Sequence, residues 1–202
     1  MTIAVLDYGI GNLRSAQKAL EKVGASAVLT DDPEEVATAA AVVLPGVGAF
    51  GPCMEALRRS GLEKPARDAI DAGKPFLGIC VGMQMLYDGS EESPEVAGMG
   101  VLAGRVRRLE GDVKRPQMQW NILEGIGGAP MLAGIEPPAW MYFVHSYAPE
   151  MTPEVVATCE YGGPVVAAVQ RGPLWATQFH PEKSGTNGLR LLANFVGSVP
   201  GD

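Results

Sequence analysis

The chain has 202 residues, of which 47% are hydrophobic and 19% charged, enough apolar material for one compact core and too much for a disordered segment. Its formal charge of −7, from 23 acids against 16 bases with no basic run longer than Arg107-Arg108, leaves no electrostatic footprint for nucleic acid. No apolar run reaches membrane-spanning length, and Cys53, Cys80 and Cys159 form neither a Cys-x-x-Cys pair nor a ligand cluster. Membrane insertion, a disulfide framework and structural zinc are therefore not expected, and a reducing cytoplasm suits the chain.

The first half alternates apolar runs with helical spacing. Thr2 to Leu6 stops at Asp7 and lacks a basic leader, so it reads as a strand and not as a secretory signal. Leu13, Ala16, Leu20 and Val23 recur at helical spacing, with Asn12 in the position of an N-cap. Ala25 to Leu29 follows as a strand. Asp32, Pro33, Glu34 and Glu35 give a cap, a proline in the first turn and two acids, which predicts a short helix to about Ala40. Ala41 to Leu44 and Phe76 to Ile79 read as buried strands separated by helices over Met54 to Ser60 and Glu63 to Ala72.

This βαβ rhythm predicts an α/β fold, an open, mostly parallel twisted sheet flanked by helices. From about Gly100 short Val-rich strands take over: Met141 to Ser146, Val155 to Glu160, Val165 to Gln170 and Leu174 to Phe179. They are expected to extend the same sheet and add an antiparallel region, with Gly188 to Val196 as a closing helix. The whole of residues 1–202 is expected to form a single domain.

Chemistry concentrates at Gly78-Ile79-Cys80-Val81-Gly82, where an apolar strand runs into a helical pattern through G-x-C-x-G. Flanking glycines of this kind permit the sharp strand-to-helix turn that projects a central nucleophile, and the positive end of a helix dipole there would stabilise negative charge on sulfur. A thiol nucleophile needs a base, and the chain has two histidines. His180 follows an apolar strand and is succeeded by Pro181 and Glu182, so a rigid step can bring a carboxylate to the imidazole, fix its tautomer and stabilise the imidazolium. His145, inside Tyr142 to Tyr147, has no adjacent acid and reads as a hydrogen-bonded, half-buried strand residue. The predicted catalytic set is Cys80, His180 and Glu182.

Acyl transfer through sulfur creates an oxyanion, which is stabilised by backbone N–H groups in a loop. The turn Pro45-Gly46-Val47-Gly48 after the Val42 to Leu44 strand offers one, and the N–H groups of Val47 and Val81 are the candidate donors. By contrast, Gly9-Ile10-Gly11-Asn12-Leu13-Arg14 resembles a dinucleotide fingerprint only superficially. Arg14 occupies the third glycine position, where a bulky side chain obstructs helix–strand packing, so no cofactor is expected.

Together these segments resemble the class I (triad) glutamine amidotransferases. Pro45-Gly46-Val47-Gly48, Gly78 to Gln84 and Gln178-Phe179-His180-Pro181-Glu182-Lys183-Ser184 would fit several members of that family. Asp7 to Leu13, Pro45 to Gly51, Met118-Gln119-Trp120-Asn121 and Tyr142 to Tyr147 narrow the similarity to the glutaminase subunits of imidazole glycerol phosphate synthases. The resemblance covers nearly the whole chain. It implies that Cys80 attacks the side-chain amide of glutamine, that His180 shuttles protons and that Glu182 orients it, giving glutamate and ammonia through a thioester. It also implies a heterodimer in which ammonia passes to a barrel-shaped cyclase subunit in histidine biosynthesis.

By the same likeness Gly46, Gly48, Gln84, Ser146 and Tyr147 would lie near bound glutamine, and Asn12, Trp120 and Lys183 would face the partner. Gln117 and Gln119 stand where the family pattern has His and Gly, a departure in the partner-facing stretch that leaves the catalytic set intact. The alternatives are a glutaminase serving another synthase, an unrelated cysteine-nucleophile α/β hydrolase, and a non-catalytic regulatory module. An intact Cys, His and Glu set speaks against the last.

Overall fold

The computed structural model describes residues 2–200. In chain order the elements are β1 (Thr2–Leu6), α1 (Leu13–Lys22), β2 (Ser26–Thr30), α2 (Pro33–Thr38), β3 (Ala41–Gly46), α3 (Phe50–Arg59), α4 (Glu63–Asp71), β4 (Phe76–Cys80) and α5 (Val81–Gln84). There follow β5 (Gly89–Ser90), β6 (Ser93–Ala97), β7 (Arg105–Arg108), β8 (Gln117–Ile122), β9 (Trp140–His145), β10 (Tyr147–Pro149), β11 (Val155–Glu160), β12 (Pro164–Arg171), β13 (Leu174–Thr177) and α6 (Gly185–Gly197). No helix among the described residues is long and apolar enough to cross a membrane.

The main sheet has seven strands in the order β11-β12-β13-β4-β3-β1-β2. Strands β13, β4, β3, β1 and β2 are parallel, and β12 and β11 add an antiparallel edge. This is the expected α/β architecture. The parallel strands are apolar throughout because helices cover both faces; every residue of β3, β4 and β13 is buried.

The second half divides as expected between additions to the main sheet and a flanking region. Only β11, β12 and β13 extend the main sheet. A separate four-stranded sheet, β10-β7-β5-β6, and a two-stranded antiparallel sheet, β8-β9, take the remainder. Local capping differs in detail. Asp32 caps α2 as expected, its Oδ1 accepting the Glu34 N–H at 2.8 Å. Asn12 occupies the cap position of α1 but makes no side-chain bond to the helix backbone; its Oδ1 accepts the Ser15 hydroxyl at 2.8 Å.

Register places the chemistry. In the parallel ladders Gly46 pairs with Cys80 on one side of β4, and Thr177 pairs with Ile79 on the other. The C-terminal ends of β3, β4 and β13 therefore finish side by side, at the edge where open α/β sheets present their ligands. A gap of about a hundred residues between Cys80 and His180 is closed by one strand pairing.

Candidate active site

Cys80 ends β4 with φ 55° and ψ −112°, the only non-glycine residue with positive φ among the described residues. For a side chain this conformation stores strain, which marks a turn held by its surroundings. The surroundings are the two glycines. A Cβ on Gly82 would lie 1.9 Å from the Leu44 carbonyl oxygen, and one on Gly78 would sit 3.0 Å from the Gly82 carbonyl oxygen. The strand-to-helix elbow read from the sequence is thus present, although α5 is a single turn and any dipole contribution is confined to its first N–H groups.

His180 and Glu182 follow β13 across a short helical turn over Pro181–Lys183. The His180 Nδ1 and Glu182 Oε1 are 2.7 Å apart, both side chains almost wholly buried. The turn is clamped from behind: Ser184 Oγ donates to the His180 carbonyl at 2.6 Å and accepts the Tyr142 N–H at 3.0 Å, while the His180 N–H donates to the Tyr142 carbonyl at 3.0 Å. The other ring nitrogen, Nε2, has no hydrogen-bond partner within ideal geometry and is left toward Cys80. Burial opposes charge on this ring, but the Cys80 sulfur and the Glu182 carboxylate outweigh it and raise its pKa well above the ordinary value.

A cavity of about 560 Å³ opens over Cys80, lined also by Val81, Gln84, Val47, Gly48, His180 and residues of β9 and β10. Val47 and Val81, the candidate oxyanion donors, both line it beside Cys80. Gly46 lies level with Cys80 and packs tightly on α5; a Cβ there would meet the Gly82 nitrogen at 2.6 Å. Ser146 and Tyr147 both line the cavity. Their carbonyls are already used: Ser146 O accepts from Leu109 N at 2.9 Å, and Tyr147 O accepts from Gln84 Nε2 at 2.9 Å.

His145 lies in the same cavity and is buried, not half-buried as the sequence suggested. Its Nδ1 bonds the Tyr147 carbonyl at 2.9 Å, its Nε2 has no partner, and no carboxylate faces it. Burial lowers its pKa to about 4, with the bond to Tyr147 opposing and the charge of His180 reinforcing the shift. It is a neutral ring at physiological pH.

Two residues, one behind the nucleophile elbow and one lining the cavity, carried no role in the sequence reading. Gln178 is fully buried beside the elbow, its Oε1 accepting from Gln84 Nε2 at 3.0 Å and its Nε2 reaching Cys80 Sγ at 3.7 Å. Because Gln84 must present its NH₂ to the Tyr147 carbonyl, the amide orientation of Gln178 is fixed in turn, with its NH₂ toward sulfur. Its place one step past the Thr177–Ile79 pair is set by sheet register, which the sequence does not show. Glu92, between β5 and β6, lines the cavity and accepts the Phe50 N–H at 2.8 Å; nothing in the local sequence distinguishes it from a surface acid.

At the cavity rim stand Asn12, Pro116 and Lys183. Trp120 lies farther out on β8, 47% exposed, which rules out ordinary core packing. Of the two departures from the family pattern, Gln117 is buried with its Nε2 on Cys159 Sγ at 3.7 Å, and Gln119 is exposed. Only the second remains on the surface beside Trp120.

The family model described as glutamine amidotransferase class-I matches residues 4–199. The chain belongs to the class I glutamine amidotransferases. Among its relatives, the imidazole glycerol phosphate synthase subunit HisH of Deinococcus radiodurans is 51% identical over 96% of this chain and 92% of its own length. The HisH subunit of Syntrophotalea carbinolica is 48% identical over 96% of this chain and 98% of its own. In shape the amidotransferase resembles a crystal structure titled glutamine amidotransferase, with a TM-score of 0.73 and 24% identity over 96% of this chain and 97% of that one. PurLQS from Thermotoga maritima gives 0.74 at 20% identity over 98% and 99%. At those identities the two solved structures speak for the amidotransferase fold alone.

Proposed function

We propose that this amidotransferase is the glutaminase subunit of an imidazole glycerol phosphate synthase, working as one domain in the cytoplasm without a cofactor. The observation that carries the chemistry is a buried imidazole fixed by Glu182 on one nitrogen with the other left for Cys80. The name HisH attached to full-length relatives near 50% identity carries the choice of synthase.

In this reading Cys80 Sγ attacks the side-chain amide carbon of glutamine, and the oxyanion is met by the N–H groups of Val47 and Val81. His180 takes the thiol proton and returns it to the departing nitrogen, so that ammonia leaves and a glutamyl thioester remains. Water, deprotonated by the same ring, then releases glutamate. Glu182 holds the tautomer and stabilises the imidazolium. Gly46, Gly48, Gln84 and the Ser146-Tyr147 backbone shape the glutamine pocket, and Glu92 supplies a negative charge suited to the substrate's α-ammonium.

The partner is a barrel-shaped cyclase subunit that receives the ammonia, and the face it covers is proposed to be the outer surface of the β8–β9 sheet. Met118, Trp120 and Ile122 lie directly opposite Val144, Tyr142 and Trp140, so all six share one face. Met118 is 63% and Trp140 45% exposed. Trp120 meets the Tyr142 ring edge-on at 6.0 Å, and Lys183 Nζ stands 6.0 Å from the same ring. An apolar, aromatic patch with a cation beside it, contiguous with the mouth of the cavity through Val144 and Lys183, suits an obligate or long-lived interface. Asn12 completes the rim.

The test is glutamate release by the purified chain with and without a cyclase subunit and its nucleotide substrate. Stimulated release is expected, and Cys80→Ser should abolish it while the complex still cyclises with free ammonia. Loss of both activities in Cys80→Ser would assign the cysteine a structural role instead.

A further inference from the structure

Behind the nucleophile elbow two buried carboxamides form a chain that ends on the sulfur. It starts at the Tyr147 carbonyl, which accepts from His145 Nδ1 and from Gln84 Nε2, each at 2.9 Å. The same Gln84 NH₂ donates to Gln178 Oε1 at 3.0 Å, and Gln178 Nε2 donates to Cys80 Sγ at 3.7 Å. Both glutamines are buried, Gln178 completely. The backbone of Gln178 is tied down as well, its N–H donating to the Ala167 carbonyl of β12 at 2.8 Å.

A carbonyl oxygen can only accept, so the polarity of the whole chain is set at Tyr147 and each amide has one orientation open to it. The Gln178 NH₂ faces sulfur because its oxygen is already taken. Without exposure it meets no water, and Cys80 Sγ is its one hydrogen-bond acceptor among the described residues. The two protonation states of sulfur are then unequal. A thiol is a weak acceptor and satisfies a buried donor poorly, whereas a thiolate takes a charge-assisted bond about twice as strong as a neutral one. A donor held in this place favours the charged form.

We propose that Gln178 is a further catalytic residue, donating from behind the elbow to the Cys80 sulfur whenever it carries negative charge. This rests on the glutaminase reading above. The charge occurs twice in a turnover. It is on sulfur before the attack, and it returns when water adds to the thioester carbon and the C–S bond breaks, its electron pair going to sulfur while His180 holds the proton taken from water. Gln178 does not line the cavity, so it acts on the nucleophile without touching the substrate.

The test compares wild type with Gln178→Met, which removes the donor at similar length, and Gln178→Glu, which keeps an acceptor for Gln84 and turns an oxygen on the sulfur. Alkylation of Cys80 in the full chain by iodoacetamide is followed by mass spectrometry across a range of pH. In parallel, kcat and KM for glutamine are measured in the complex with a cyclase subunit and its nucleotide substrate. The titratable groups around the sulfur are His180 with Glu182 behind it, Tyr8 and Cys53, and His145 and Glu92 on the cavity wall. All are common to the three chains, so a displacement between the curves belongs to residue 178. In Gln178→Met the pH midpoint of alkylation should rise by roughly one unit. Because a stabilised thiolate is also a weaker nucleophile, the two curves should cross, the variant about threefold slower at the acid end and about threefold faster on the alkaline plateau. Gln178→Glu should move the midpoint farther, since two negative charges then meet. Near neutral pH kcat should fall roughly 3- to 10-fold in Gln178→Met, with KM near wild type. A merely structural role would lower the rate at every pH along with the melting temperature and leave the midpoint in place. Unmoved midpoints in both variants, or failure of both to fold, overturn the proposal. A wild-type complex that does not hydrolyse glutamine, with the midpoints displaced as expected, overturns the glutaminase reading instead and leaves the donor to sulfur standing.

Discussion

His180 and His145 are both buried in one cavity, yet their surroundings drive them in opposite directions. His180, on the turn after a strand of the main sheet, has a carboxylate on one nitrogen and a thiol facing the other, and is raised. His145, on the smaller β8–β9 sheet, has a backbone carbonyl on one nitrogen and nothing on the other, and falls to about 4. Burial penalises the charged form of both. What decides whether a buried ring holds its proton more or less firmly is the presence of a compensating negative group, not depth in the protein.

Breaking the comparison at its active end should have the largest effect. His180→Ala is expected to lower stimulated glutaminase turnover on the order of 10³-fold or more, since members of such a set act as a unit; a near-normal rate would show that the base is elsewhere. Glu182→Gln keeps the shape and removes the charge, and its loss should be roughly 10- to 100-fold smaller than that of His180→Ala. Kinetics of the two variants side by side would expose reversed roles if the order inverted.

On the inert side, His145→Asn retains a donor toward the Tyr147 carbonyl. Its kcat should stay within about tenfold of wild type, less than the 10²–10⁴ expected for a general base. The pH dependence of stability sharpens the contrast further. A base lowered from about 6.5 to about 4 binds its proton more readily in the unfolded chain. His145 therefore contributes stability that is full above pH 6.5 and is lost as the pH falls toward 4, on the order of 2–3 kcal/mol. His180 has the opposite sign: its contribution is full below pH 6.5 and fades as the pH rises through its raised pKa. Denaturant midpoints across pH 4 to 7 should show His145→Asn with a shallower acid decline than wild type. The smallest expected effect belongs to the rim: Trp120→Ala should weaken cyclase binding by about 1–2 kcal/mol in titration calorimetry and leave melting nearly unchanged.

The pairs that matter to the site were legible because they are written locally. His180-Pro181-Glu182 spans one turn, and Gly78-Ile79-Cys80-Val81-Gly82 states its own geometry through the two close approaches that exclude a Cβ. The parallel strands were legible for the same reason, as apolar runs buried on both faces. What escaped is non-local or breaks a local rule. Helix α3 begins at Phe50, ahead of the expected Met54, because Gly51 and Pro52 look like breakers although a proline is tolerated in a first helical turn. Strands β5 and β6 are short, polar and interrupted by Pro94, so they carry no alternation to read. The roles of Gln178 and Glu92 depend on neighbours brought in by sheet register or loop path. No spacing in the chain announces those.

The positive φ of Cys80 has a consequence for how the protein can change. A side chain held there costs the native state on the order of 1–3 kcal/mol that a glycine would not. The residue proposed as the nucleophile is thus also one the fold would be sturdier without, and selection for thermal robustness alone would push against it. Loss of activity by drift at this position carries a reward in stability, so only a continuing demand for ammonia keeps the sulfur in place.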